Sequence, residues 1–107
     1  MKDCIFCKIV NGEIPANKVW EDENYLAFLD IKPESEGHTL VIPKKHFCWI
    51  WDLPSDSEGK PNFCEFFEKV REVKKVLDEK YHPKWVMVKV IGIDVSHAHV
   101  HLIPQYR

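Results

Sequence analysis

At 107 residues, with 45% apolar and 30% charged residues, the chain suffices for one hydrophobic core but not for two independently folded halves, so a single domain over residues 1–107 is expected. A formal net charge of -2 excludes a polyanion binder that works through a broad cationic surface; nucleic acid is not an expected partner, whereas a local pocket for a small phosphate stays open. No apolar run approaches the ~20 residues of a bilayer crossing, and the N-terminal MKDCIFCKIV lacks a signal peptide's apolar core, so a cytoplasmic protein without membrane contact is expected.

In chain order, Ile5, Phe6 and Ile9 have helical spacing, and Asn11-Gly12 supplies residues suited to a stop, which predicts a short helix over 4–10. KVWE and YLAFLD flank the polar DEN and predict a hairpin across 18–30. HTLVIP predicts a third strand ended by Pro43, whose missing N–H cannot serve a central ladder. FCWIWDLP carries Trp49 and Trp51, expected as packing residues, with a self-association surface as the second choice. Pro54 to Asn62 reads as a surface loop. Phe63, Phe66, Phe67, Val70, Val73 and Leu77 then recur at helical spacing, predicting one long helix with Pro61 in its first turn and Pro83 beyond its end. KWVMVKVIG and VSHAHVHLI predict the last two strands, with Val86, Val88 and Val90 on the core side. The expected fold is α+β, a five-stranded antiparallel sheet with one long helix on one face and a short N-terminal helix.

The last strand raises the functional question, because His97, His99 and His101 occupy alternate residues. In a regular strand such residues share a face at ~6.8 Å intervals. Ala98, Val100 and Leu102 then face the core, leaving the histidines toward solvent, a ligand or a second layer. Two histidines at i and i+2 reach one metal ion, which admits a metal hydrolase with an open coordination position. The outer two, ~13 Å apart, do not share it, so at least one ring has another task. Cys4 and Cys7 form a CxxC pair, half of a zinc site, a redox pair or two buried thiols; a reducing compartment disfavours disulfides. Cys48, Cys64 and His82 receive no role, the cysteines being expected buried and the histidine exposed.

The HxHxHxx pattern, together with CIFCKIVNGEIPANKVWEDENYLAFLDIKPESEGHTLVIPKKH, resembles the histidine triad family of nucleotide hydrolases and transferases, in the branch that acts on nucleoside phosphoramidates. The resemblance runs through nearly the whole chain. It implies cleavage at the α-phosphorus of a purine nucleotide through a nucleotidyl-histidine, with His99 as nucleophile and His101 and His38 as donors to the phosphate. A neutral imidazole, with an ordinary pKa of ~6.5, suits that attack because it brings no negative charge to the anion. The resemblance further implies that Asp30 accepts the ribose hydroxyls, and that Ile5, Phe6, Ile9, Phe28 and Ile31 wall the base. Read without it, those five apolar residues are core. Cys4, Cys7, His46 and His97 are implied as a Cys2His2 structural zinc site, and a homodimer built through the long helix and a strand as the assembly.

The chain departs from that branch before the triad. In KVIGIDVSHAH, Gly92 and Val95 fit, with Val95 kept among the nucleotide contacts, but Ile93 and Asp94 stand where a glutamine and a hydroxyl are usual, and an asparagine is missing. Lys89 alternates with the valines, and we expect it to offer the phosphate a cation in place of those donors, with a solvated strand lysine as the alternative. The chain stops at Arg107 where many relatives continue, so a more open pocket is expected. A non-catalytic nucleotide sensor that keeps the pocket is the competing expectation.

Overall fold

The computed structural model describes residues 4–91 and 95–107. A five-stranded sheet is built from β1 (Lys18–Glu21), β2 (Tyr25–Leu29), β3 (Thr39–Pro43), β4 (Trp85–Lys89) and β5 (Val100–Gln105). The strands lie in the order β1-β2-β3-β5-β4, and every neighbouring pair is antiparallel. The expected hairpin forms because Asp22 caps its own turn, its carboxylate accepting from the backbone N–H groups of Asn24 and Tyr25 at 2.9 and 2.8 Å.

The long helix, α2 (Phe63–Tyr81), covers one face as expected. Its Phe66, Val70, Val73 and Leu77 pack on Tyr25, Ala27, Val41, Val100 and Leu102, each large apolar side chain contributing about 2 kcal/mol relative to exposure. Pro61 lies one residue before the cap rather than in the first turn, because Asn62 is the N-cap and accepts from the Glu65 N–H at 2.8 Å. Helix and sheet are tied there by Tyr25, whose hydroxyl donates to Glu65 at 2.9 Å and accepts from the Asn62 N–H at 3.1 Å. His82, exposed as expected, closes α2 in the left-handed conformation.

The other face is not left to solvent. The short helix α1 (Ile5–Val10) lays Phe6 and Ile9 over Leu26, Phe28, Leu40 and Ile42, which accounts for the buried residues on both faces of β2 and β3. Where β4 forms the sheet edge, the core side thins out. Val86 packs against the α2 cluster, but Val88, opposite Leu102, is 55% exposed and Val90 also lies open, contrary to expectation. Trp49 and Trp51 are likewise exposed, because a 3-10 turn at Ile50–Asp52 turns Ile50 inward between them; Trp51 stacks on Phe63 at 5.9 Å. Cys48 and Cys64 are exposed too, the first beside this turn and the second on the outer side of α2.

Candidate active site and metal centre

The histidine segment only partly belongs to the ladder. β5 begins at Val100, opposite Val41 of β3, while Ala98 donates outside the sheet to the Phe47 carbonyl at 2.6 Å. Of the three histidines, His101 alone is a ladder residue, and His97 and His99 occupy the approach to it. Of the alternatives for the histidine face, solvent, a ligand or a second layer, the structure gives His97 and His99 the last: both are buried beneath α1, with Phe6 meeting their rings edge-on at 5.8 and 5.2 Å. The His99 and His101 rings are 5.0 Å apart.

Hydrogen bonds fix what each ring nitrogen offers. A carbonyl only accepts, so His99 Nδ1, 2.7 Å from the His97 carbonyl, carries the proton and Nε2 keeps its lone pair. That is the state a nucleophilic imidazole needs. By the same logic His97 Nε2, 2.8 Å from the Pro43 carbonyl, is the donor, and Nδ1 turns a lone pair toward the cysteines. Pro43, the last residue of β3, thus spends its carbonyl on a histidine after its missing N–H has ended the strand.

His38 lies just before β3, after Gly37, whose φ of 89° and closeness to Tyr81 leave no room for a side chain: a Cβ there would lie 2.8 Å from the ring. The Glu34 N–H donates to His38 Nδ1 at 3.0 Å, so in the neutral ring Nε2 carries the proton. It points to His101 Nδ1 at 3.0 Å, with an Asp30 carboxylate oxygen 3.5 Å away. His101 Nδ1 then accepts, which leaves His101 Nε2–H as a free donor. The other Asp30 oxygen accepts from the Lys32 N–H at 2.9 Å. A nucleophilic lone pair on His99 and a donor on His101 thus sit on adjacent rings. This is the pairing that transfer at phosphorus uses, one group to attack and another for the oxygen charge.

Burial lowers the pKa of His38 below its ordinary 6.5 even though Asp30 and Glu34 pull upward, with Lys89 adding to the lowering. His101 is lowered by burial, then by His99 and His38, against Asp30 and Glu34. Each ring binds a proton more weakly folded than unfolded, so their stabilising contribution is complete above the unfolded value of 6.5 and is lost as pH falls through the folded values. Thermal unfolding should show a Tm that declines as pH falls below about 6.5, with a shallower decline in His38→Asn. A slope unaffected by the substitution would remove His38 from this linkage.

Cys4, Cys7, His46 and His97 converge, with one ligand atom from each lying within 4.8 Å of the others. Cys4 is the N-cap of α1, and one helical turn returns Cys7 beside it, its N–H donating to Cys4 Sγ at 3.4 Å. His97 Nδ1 lies 3.3 and 3.5 Å from the two sulfurs, and His46 Nδ1 lies 3.3 Å from Cys7 Sγ. A tetrahedral ion with ordinary zinc bond lengths separates a sulfur from a nitrogen by about 3.5 Å, so the donor set fits such an ion in both type and spacing. Burial pushes the Cys7 thiol up to about 11, with Cys4 beside it adding to the rise, while burial holds His97 down to about 4. At neutral pH the histidine is ready to ligate, whereas Cys7 needs a cation to displace its proton. His97 and His99 face different partners, and the HxH pair does not converge on one ion.

A family model described as the HIT domain matches residues 11–107. The chain belongs to the HIT domain family. This HIT chain is 46% identical over 107 residues to a HIT-like protein of Methanocaldococcus jannaschii, covering 96% of this chain and 79% of that protein. It is 40% identical over 103 residues to the adenosine 5'-monophosphoramidase of Schizosaccharomyces pombe, covering 95% and 74% of the two. Among solved structures it resembles a Zn-bound histidine triad family protein from Mycobacterium smegmatis, with a TM-score of 0.82, 33% identity, and coverage of 97% of this chain and 76% of that one.

The remaining expected site residues divide. Phe6, Ile9 and Phe28 are buried in the α1 cluster, with Val95 packed partly buried against it. Ile5 and Ile31 are not core, being 42% and 89% exposed. Lys89 lies on the histidine face, directly opposite His101, and its ammonium reaches Glu34 at 3.1 Å. Gly92, which fits the branch, and the departures at Ile93 and Asp94 lie outside the described residues. The backbone partners Glu34 and Pro43 went unnoticed in the sequence because a main-chain group leaves no mark on residue type.

Proposed function

We propose that this HIT protein is a nucleotide hydrolase or nucleotidyl transferase acting at the α-phosphorus of purine nucleoside phosphoramidates or related esters and anhydrides. The observation that supports this reading is the 2.7 Å bond from His99 Nδ1 to the His97 carbonyl, which leaves the Nε2 lone pair available for attack. Attack forms a nucleotidyl-His99 that water then opens. His101 supplies its Nε2–H to the phosphate oxygens, and His38, expected as a second donor, instead gives its Nε2–H to His101 Nδ1 and holds that ring in the donor tautomer. Asp30 accepts from the ribose, and Ile5, Phe6, Ile9, Phe28, Ile31 and Val95 form the apolar side toward the base. The name of the Schizosaccharomyces pombe relative supports the phosphoramidate substrate. Intact-mass detection of an AMP adduct during turnover of adenosine 5'-phosphoramidate tests the reading; AMP binding without turnover or adduct would replace the enzyme with a nucleotide sensor.

Zinc held by Cys4, Cys7, His46 and His97 fits the same reading, supported by the donor spacing and by the Zn-bound Mycobacterium smegmatis structure. With four protein ligands it supplies structure rather than an open coordination position. The single domain of residues 1–107 works as a homodimer. Support comes from β4, an edge strand with Trp85, Val88, Val90 and Ile91 exposed along and just beyond it. Light scattering of the purified protein should give twice the chain mass, and a monomer at micromolar concentration would overturn the dimer.

A further inference from the structure

Strand register aligns one row of residues across the α1 face of the sheet. Phe28 of β2 pairs with Leu40 of β3, Leu40 with His101 of β5, and His101 with Lys89 of β4. With strands about 4.8 Å apart, the apolar end at Phe28 and the cationic end at Lys89 are separated by about 14 Å, and the histidine lies one strand from the lysine. A nucleotide laid along this row puts its base toward α1 and Phe28 and its α-phosphate at the histidines. Whatever is joined to that phosphate extends toward the β4 edge, within reach of Lys89.

Lys89 is held in waiting rather than committed. Its ammonium contacts both Glu34 carboxylate oxygens, at 3.1 and 3.3 Å. Both side chains are substantially exposed, and such a surface pair contributes only about 0–1 kcal/mol, so an arriving phosphate competes for the lysine easily. Glu34 also donates its backbone N–H to His38, which fixes the pair beside the donor rings.

We infer that Lys89 is a specificity-determining residue that favours substrates whose leaving group is itself a phosphate, the α,β-anhydrides of nucleotides, over those that release a neutral amine. The inference rests on the reading of His99 as nucleophile. In the first step the His99 Nε2–P bond forms as the bridging P–O bond breaks, and its electron pair leaves on the β-phosphate oxygen. That anion needs no proton, and the Lys89 ammonium stabilises it. Water then opens the N–P bond; the electron pair returns to Nε2, the nucleoside monophosphate is released, and the proton passes to solvent. An amine, by contrast, leaves as a neutral molecule and carries no negative charge for the Lys89 ammonium to stabilise.

The test compares kcat/KM for ADP with that for adenosine 5'-phosphoramidate. Lys89→Gln should lower the ADP-to-phosphoramidate ratio tenfold or more, Lys89→Arg should retain it within threefold, and Glu34→Gln should raise it by freeing the cation. A ratio in Lys89→Gln within twofold of wild type overturns the inference, whether both rates fall together or neither moves. If wild type turns over neither substrate, the nucleophile reading fails, and binding decides separately. In a His99→Ala background Lys89→Gln should reduce the preference for ADP over AMP by fivefold or more; an unchanged preference removes Lys89 from the β-phosphate site.

Discussion

Replacing His99 with alanine is expected to lower kcat for adenosine 5'-phosphoramidate by at least about 10³-fold and to abolish the AMP adduct, because the chemistry loses its attacking atom rather than a supporting contact. AMP affinity should change no more than a few-fold, since the proposed ribose acceptor Asp30 and the proposed phosphate donor His101 are held by contacts independent of His99: Asp30 by the Lys32 N–H, and His101 by the His38 ring, itself fixed by the Glu34 N–H. Removal of the buried ring leaves a void against Phe6, 5.2 Å away between centroids, so a stability loss of about 1–3 kcal/mol accompanies the change. Turnover must be measured well below the lowered Tm. Residual activity within tenfold of wild type in folded His99→Ala would move the nucleophile elsewhere. A surviving adduct would do the same, and its mapping to His101 would reverse the roles assigned to the two rings.

The residues that carry chemistry were more legible in the sequence than the layers that bury them. Cys4, Cys7, His46 and His97 stand up to 93 positions apart along the chain, as in the Cys4–His97 pair, yet they converge; residue type alone offered the CxxC pair, and the resemblance to the histidine triad family added His46 and His97. The succession of helices and strands along the chain and the buried face of α2 followed from periodicity: Phe66, Val70, Val73 and Leu77 repeat over a 19-residue helix. What covers the second face stayed open between solvent, a ligand and a second layer, because α1 has only six residues and buries two of them, too short a stretch for periodicity to show what it covers. Alternation misled at the last strand, where His97 and His99 share the pattern of β5 although the chain has not yet entered the ladder; Trp49 and Trp51, expected as packing residues, are exposed because a 3-10 turn holds Ile50 inward between them. Val88 is on the core face as expected, yet exposed, because at the sheet edge too little packs over it. Such facts depend on what lies alongside, which a strand's own sequence does not record.

Loss of the metal centre is expected to produce the largest change in stability. The cluster joins α1 through Cys4 and Cys7, the segment after β3 through His46, and the approach to β5 through His97. Without an ion these parts are held by sulfur–imidazole contacts of 3.3 to 3.5 Å, each far weaker than a zinc–thiolate bond, and by the apolar cover of Phe6 and Ile9. Cys4→Ser should therefore lose bound zinc and about 3 kcal/mol or more, which at about 4–8 °C per kcal/mol for a chain of this size is a fall in Tm of roughly 12–24 °C. Returning zinc to metal-free wild type should displace about two protons per chain, one from each thiol, measurable as buffer-dependent heat on titration. Activity should follow on the timescale of structural loosening, because the His97 carbonyl orients His99 at 2.7 Å and a displaced His97 frees that ring to adopt the wrong tautomer. Immediate and complete inhibition by a chelator, with Tm unchanged, would instead make the ion part of the chemistry. A protein that purifies without zinc and is indifferent to Cys4→Ser would reduce the cluster to two thiols packed against two imidazoles.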